Sequence, residues 1–137
     1  MAQSSPIGWR NTISGYGNIV SNNVIDTVDL YGIFMDVSPA WLWGTRIEGN
    51  TVTKLQTADA ISGIRVYGPM TNCTGNIISE VSGFAIAAID AYEADQSFIT
   101  NNQITGSDVG IKIPTARSID PVLTPNEFFD VTTPFGS

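Results

Sequence analysis

Ile47-Glu48-Gly49-Asn50-Thr51-Val52, followed eleven residues later by Gly63-Ile64-Arg65-Val66, is the stretch whose reading decides the fold. In the second segment the apolar residues flank a single polar one, as in a strand whose alternate side chains face a core. Gly49 and Asn50 interrupt the first. They are residue types that tolerate a left-handed backbone at least cost, so the chain bends sharply there between two strands.

The pattern recurs on both sides. Asn23, Asn50, Asn76, Asn102 and Asn126 lie 27, 26, 26 and 24 residues apart. Three residues before each stand Val20, Ile47, Cys73, Ile99 and Leu123, and two after each stand Ile25, Val52, Ile78, Ile104 and Phe128. A glycine-led strand follows as Gly32-Ile33-Phe34-Met35, Gly63 to Val66, Gly83-Phe84-Ala85-Ile86 and Gly110-Ile111-Lys112-Ile113. Asn22, Gly49, Gly75 and Asn101 precede the register Asn. Pro125 takes that place in the last repeat, and proline cannot adopt positive φ. Short strands, three per period of about 26 residues with left-handed bends between them, are what the stacked coils of a parallel β-helix require.

Composition agrees. Seventeen Ile against four Leu, with 13 Gly, favour strands and turns over helices. The expected fold is all-β, a right-handed parallel β-helix of about five coils without substantial helix. Residues 1–137 form a single domain, with coils over roughly 18–128, a flexible leader at 1–6 and a C-terminal tail or cap at 129–137. Five coils at the interstrand spacing of ~4.8 Å make a solenoid only about 24 Å long. Its ends need caps or neighbours, so a homotrimer or the adjoining coils of a longer chain are the expected protein partners.

What is missing narrows the chemistry. The chain has no His and a formal charge of −7, with six Lys and Arg against 13 Asp and Glu. His-dependent triads and His-bearing metal sites are excluded. Nucleic acid and anionic membrane are not expected partners, since both need a positive patch. No apolar run is long enough to cross a bilayer. Cys73 stands in an apolar column and reads as a buried, inert thiol. No cofactor and no metal site are expected.

The run Ile47 to Val52 with Gly63 to Val66, and Phe98 to Ile113 nearly as well, resembles the repeat of pectate-lyase-like parallel β-helix proteins. That superfold carries lyases, hydrolases, epimerases and inert shafts, so the resemblance implies the fold and leaves the activity to the outer surface. It also implies Asp and Glu metal ligands on neighbouring coils with an Arg nearby. The outward positions Phe34, Arg65, Ala85 and Lys112 offer two cations and no carboxylate.

Four variable connections, 36–45, 67–71, 87–97 and 114–121, are expected to stack on one flank. They gather Trp41, Trp43, Tyr67 and Tyr92 with Asp36, Asp90, Glu93 and Asp95. Aromatic rings suit the apolar faces of sugars and carboxylates suit their hydroxyls. Trp41, Trp43, Tyr67, Tyr92 and Asp36 are therefore the candidate glycan-binding residues, and a contact with another subunit explains the same rings equally well. Asp90, Glu93 and Asp95 are candidate catalytic carboxylates for glycoside hydrolysis. For a lyase, Lys54, Arg65, Lys112 or Arg117 would supply the base. The favoured reading is a polysaccharide-engaging domain of a phage tail spike or similar surface protein, extracellular or on a virion, binding rather than turning over its glycan. A section of a depolymerase or lyase, and a structural trimeric shaft, are the alternatives.

Overall fold

The computed structural model describes residues 7–11, 15–27, 31–35, 42–55, 61–81, 87–113 and 121–137. Among them there are fifteen strands and no helix. In chain order they are β1 (Ile7–Asn11), β2 (Gly15–Tyr16), β3 (Ile19–Ser21), β4 (Val24–Asp26), β5 (Tyr31–Met35), β6 (Leu42–Trp43), β7 (Arg46–Glu48) and β8 (Thr51–Leu55). There follow β9 (Ser62–Tyr67), β10 (Asn72–Thr74), β11 (Ile77–Val81), β12 (Ala87–Glu93), β13 (Phe98–Thr100), β14 (Gln103–Lys112) and β15 (Glu127–Gly136).

Every pairing is parallel and joins one coil to the next, the arrangement of a β-helix. One row is the four-stranded sheet β3-β7-β10-β13, in which Val20, Ile47, Cys73 and Ile99 share a register. The second row stacks Ile25, Val52, Ile78, Ile104 and Phe128. The third stacks Ile33, Ile64, Ile89 and Ile111. All of these but Phe128 are buried, at 8% exposure or less. Full burial of one such side chain is worth roughly 1.5–3 kcal/mol.

Two expectations change. From Asn23 to Asn102 the chain makes three full turns of 27, 26 and 26 residues. The next turn is reduced in the first row to one bridge between Phe98 and Val122, so full coils number fewer than five. In the second and third rows that turn is β15, which pairs with β14 from Gln103 to Lys112. The stretch 129–137, expected as a tail or cap, thus lies largely within a paired strand.

The second change concerns the third member of the glycine-led column. Gly83, Phe84, Ala85 and Ile86 lie outside the described residues, and Ala88-Ile89-Asp90-Ala91 occupies the register of Gly63-Ile64-Arg65-Val66. Alternation alone cannot tell two apolar stretches so close together apart. Close packing explains the column itself. A Cβ on Gly63 would stand 2.7 Å from the carbonyl oxygen of Ala88 and 2.8 Å from Ile78 Cγ2.

Three columns of left-handed bends recur along the coils. The bend before the register Asn is at Asn22, Gly49, Gly75 and Asn101, as expected. Two further columns repeat with the same spacing: Gly17, Gly44, Met70 and Gln96, and Thr27, Lys54, Glu80, Gly106 and Asp130. Six of these nine residues are not glycine.

Inside the register bend the Asn side chains form a continuous ladder. Nδ2 of Asn23, Asn50, Asn76 and Asn102 each donates to Oδ1 of the next Asn, at 2.9–3.1 Å. The backbone N–H of each donates to that same oxygen. Asn50, Asn76 and Asn102 also donate back to the carbonyls of Val20, Ile47 and Cys73. Thr71 and Ser97 begin a shorter polar stack, Thr71 N donating to Ser97 Oγ at 2.9 Å.

Candidate functional site

The outer face of the third row carries the densest chemistry among the described residues. Because Ile33, Ile64, Ile89 and Ile111 point inward, their neighbours Phe34, Arg65, Asp90 and Lys112 fall in register on the outside. The outward row therefore does contain a carboxylate, contrary to the expectation drawn from Ala85. Asp90 stands between two cations.

Arg65 organises this face. Its Nη1 donates to the Tyr31 hydroxyl at 3.1 Å, and Nε lies 3.8 Å from Asp90 Oδ2 without a hydrogen-bond partner. The guanidinium packs over Tyr92 at 4.3 Å from the ring centroid and over Phe34 at 5.7 Å. Phe34 in turn stacks on Tyr31 at 4.3 Å. Such cation–π contacts are worth ~0.5–2 kcal/mol each, depending on how far they are shielded from water. Asp90 is only 3% exposed, and burial pushes its carboxyl above the usual value of 3.8 while Arg65 and Lys112 pull it partly back.

Tyr67 and Tyr92 meet on this face. Tyr67 ends β9 and Tyr92 sits at the irregularity in β12 between Ala91 and Glu93. Their ring centroids are 5.5 Å apart at 30°, and both rings are half-buried. Tyr67 and Tyr92 are thus elements of paired strands rather than of loops, which fixes their backbones.

The remaining candidates separate. Asp90 and Glu93 belong to β12, whereas Asp95 lies in the bend beyond it, its carbonyl accepting from Met70 N at 2.8 Å. The expected loop of three carboxylates is therefore a strand followed by a bend. The described residues hold no group of three or more His, Cys, Asp or Glu placed to share a metal ion. Trp43 lies on β6, paired with Tyr16 of β2. Gly44 N donates to Pro69 O in the coil below, so this segment stacks on the same flank as Asp95. Trp41, Asp36 and Arg117 lie outside the described residues. Lys54 is at the third left-handed column, 3.5 Å from Asp26, on a different face from Arg65 and Lys112.

Arg65, Lys112 and the aromatic pair were visible in the sequence; the place of Asp90 beside them was not. No fixed count from the register Asn finds it, because Ile33, Ile64, Ile89 and Ile111 follow Asn23, Asn50, Asn76 and Asn102 by 10, 14, 13 and 9 residues.

Cys73 is fully buried in the first row, and desolvation pushes its thiol up to about 12, against a contact from Asn76 Nδ2 at 3.5 Å. It is the buried thiol expected of its column.

Comparison with known proteins gives one match. A family model described as "Periplasmic copper-binding protein (NosD)" matches residues 10–133. No curated protein and no solved structure matches the chain.

Proposed function

The chain belongs to the NosD family, described as periplasmic copper-binding protein, and we propose that it is an extracytoplasmic β-helix domain that engages polysaccharide. The observation that carries this reading is the pair Tyr67 and Tyr92. Two half-buried rings stand 5.5 Å apart on adjacent coils, with the Arg65 guanidinium beside them and Lys112 in the same outward row. Rings held on paired strands offer apolar faces to sugars without the ordering cost of a loop. Strand-borne groups also keep their spacing better than loop-borne ones.

Binding is favoured over turnover. Glycoside hydrolysis needs two carboxyl groups flanking a bond, one of them free to give or take a proton. Asp90 is screened from solvent and held between Arg65 and Lys112. A receptor-engaging tail spike is the finer form of this reading; the resemblance of the repeat to pectate-lyase-like proteins supports its fold alone.

Copper, named in the family description, does not fit the donor side chains among the described residues. Copper sites are built from imidazole, thiolate and thioether. The chain has no His, its one Cys is the buried thiol pushed up to about 12, and Met70 stands exposed at a bend. After incubation with Cu(I) or Cu(II) and desalting, copper measured by mass spectrometry should match a protein blank; stoichiometric retention would show that the donor set has been misjudged.

The binding reading is tested by titrating capsular and O-antigen glycans against the wild type and the Tyr67→Ala and Tyr92→Ala variants, while assaying for new reducing ends and unsaturated uronates. Each substitution should weaken retention by about tenfold, ~1.4 kcal/mol, with the β-rich circular dichroism unchanged. Retention that survives both changes defeats the reading, and release of unsaturated uronates would replace it with a lyase.

A further inference from the structure

A second surface lies at a different corner of the coil, outside the left-handed bends that precede the register Asn. There the chain encloses a groove of about 370 Å³. One wall is Gly75, Asn101 and Pro125, and the other is Ile77, Gln103 and Glu127, the latter three in register on successive strands. Asn76, Asn102 and Asn126 form the back, their amides committed to the ladder.

The volume falls within the range of small-molecule sites. Its upper end is closed by a side chain: Asn22 Oδ1 lies 2.7 Å from where a Cβ on Gly49 would stand. At Gly75 the same construction meets nothing nearer than Gly49 N at 3.9 Å. The groove thus opens below Gly49 and runs along the solenoid axis past three coils.

The lining selects its ligand. Among the described residues no Lys or Arg borders the groove, and Glu127 places a carboxylate on its rim. An anionic ligand is disfavoured, the more so in a chain of net charge −7. Gln103 and Asn101 are exposed amides, able both to donate and to accept, and Asn101 Nδ2 has only a 3.5 Å contact with Thr100 Oγ1. Ile77, 45% exposed, and the Pro125 ring supply apolar surface between them. Amides and a carboxylate around an apolar strip match hydroxyl groups around a C–H face. The repeat of the wall, ~4.8 Å per coil, is comparable to the advance of a pyranose along an extended chain.

We propose that this groove is a subsite for an uncharged oligosaccharide lying parallel to the solenoid axis, its hydroxyls bonded by Asn101, Gln103 and Glu127 and one ring face resting on Ile77. It stands apart from the Tyr67–Tyr92 face and goes beyond the reading given for that face, so either can fail without the other.

The test uses the full chain with backbone and side-chain amides followed by ¹H–¹⁵N NMR. The probes are gluco- and manno-tetrasaccharides, with tetragalacturonate as the acidic counterpart. Gly75→Asn fills the groove with the residue type already at 22 and 101 in the same column, so the bend is kept; Gln103→Ala removes one amide from an exposed position. A neutral tetrasaccharide should shift the signals of Gly75, Asn101 and Gln103. Both variants should weaken that response by about tenfold while keeping the dispersion of the folded spectrum. Tyr67→Ala should leave it unchanged. The proposal is overturned if no neutral probe shifts these signals, if the shifts survive both substitutions, or if tetragalacturonate binds the groove as well as the neutral sugars do.

Discussion

Asn76 is where a single atom carries most consequence. It is fully buried, accepts from the N–H and Nδ2 of Asn50, and donates to Asn102 Oδ1 and to the carbonyl of Ile47. Asn76→Ala would leave several buried polar groups without partners at ~1–3 kcal/mol each. A loss of about 3 kcal/mol or more in urea-derived stability is expected, and a loss below about 1 kcal/mol would mean that water replaces the ladder. Cys73 gives a second residue-scale outcome: with its thiol pushed up to about 12, it should resist iodoacetamide at pH 8 in the native chain and react promptly in denaturant. Asp90 gives a third. Its folded carboxyl ionises above 3.8, so its contribution to stability is fully present below that pH and is lost as pH rises through the raised value. Asp90→Asn cannot ionise. Apart from a constant offset from replacing the neutral carboxyl by an amide, the variant should gain on the wild type as pH rises above about 4, and a flat difference would place Asp90 in water.

At the scale of the element, the bends decide how the strands meet. The third left-handed column contains Thr27, Lys54, Glu80, Gly106 and Asp130, all at φ between 53° and 63°. A non-glycine residue there carries a backbone cost of ~1–2 kcal/mol, so Glu80→Gly should raise the unfolding midpoint and Gly106→Val should lower it, the pair measured by thermal circular dichroism. Unchanged midpoints in both would show that the bends relax freely. This column is also why part of the fold was hard to read. The Asn register and the apolar columns were legible because burial restricts those positions to Asn or to aliphatic residues. The column at Thr27 points to solvent and accepts almost any type, leaving only its spacing to betray it. The same holds for the site: Arg65 and Lys112 were visible beside conspicuous glycines, whereas Asp90 followed Ala88, where a glycine was awaited.

On the scale of the whole molecule, stability is distributed along the axis rather than gathered in one centre, since each coil touches only its neighbours. Ile64→Ala in a middle coil should cost ~2–5 kcal/mol and lower the midpoint of the whole transition, read equally by circular dichroism and by the fluorescence of the Tyr and Trp residues. Divergent transitions would instead mark coils that unfold separately. The Asn ladder adds one more property of the assembly, an electrical direction. In each of its four steps Nδ2 points towards the C-terminal coil and Oδ1 towards the N-terminal one. Side-chain dipoles aligned this way reinforce one another, as chains of hydrogen bonds do. The two ends of the solenoid are therefore not equivalent: the Asn23 end presents an amide oxygen and favours a cation, whereas at the Asn126 end both amide hydrogens are already taken by the carbonyls of Ile99 and Leu123, which closes the ladder without a counter-charge.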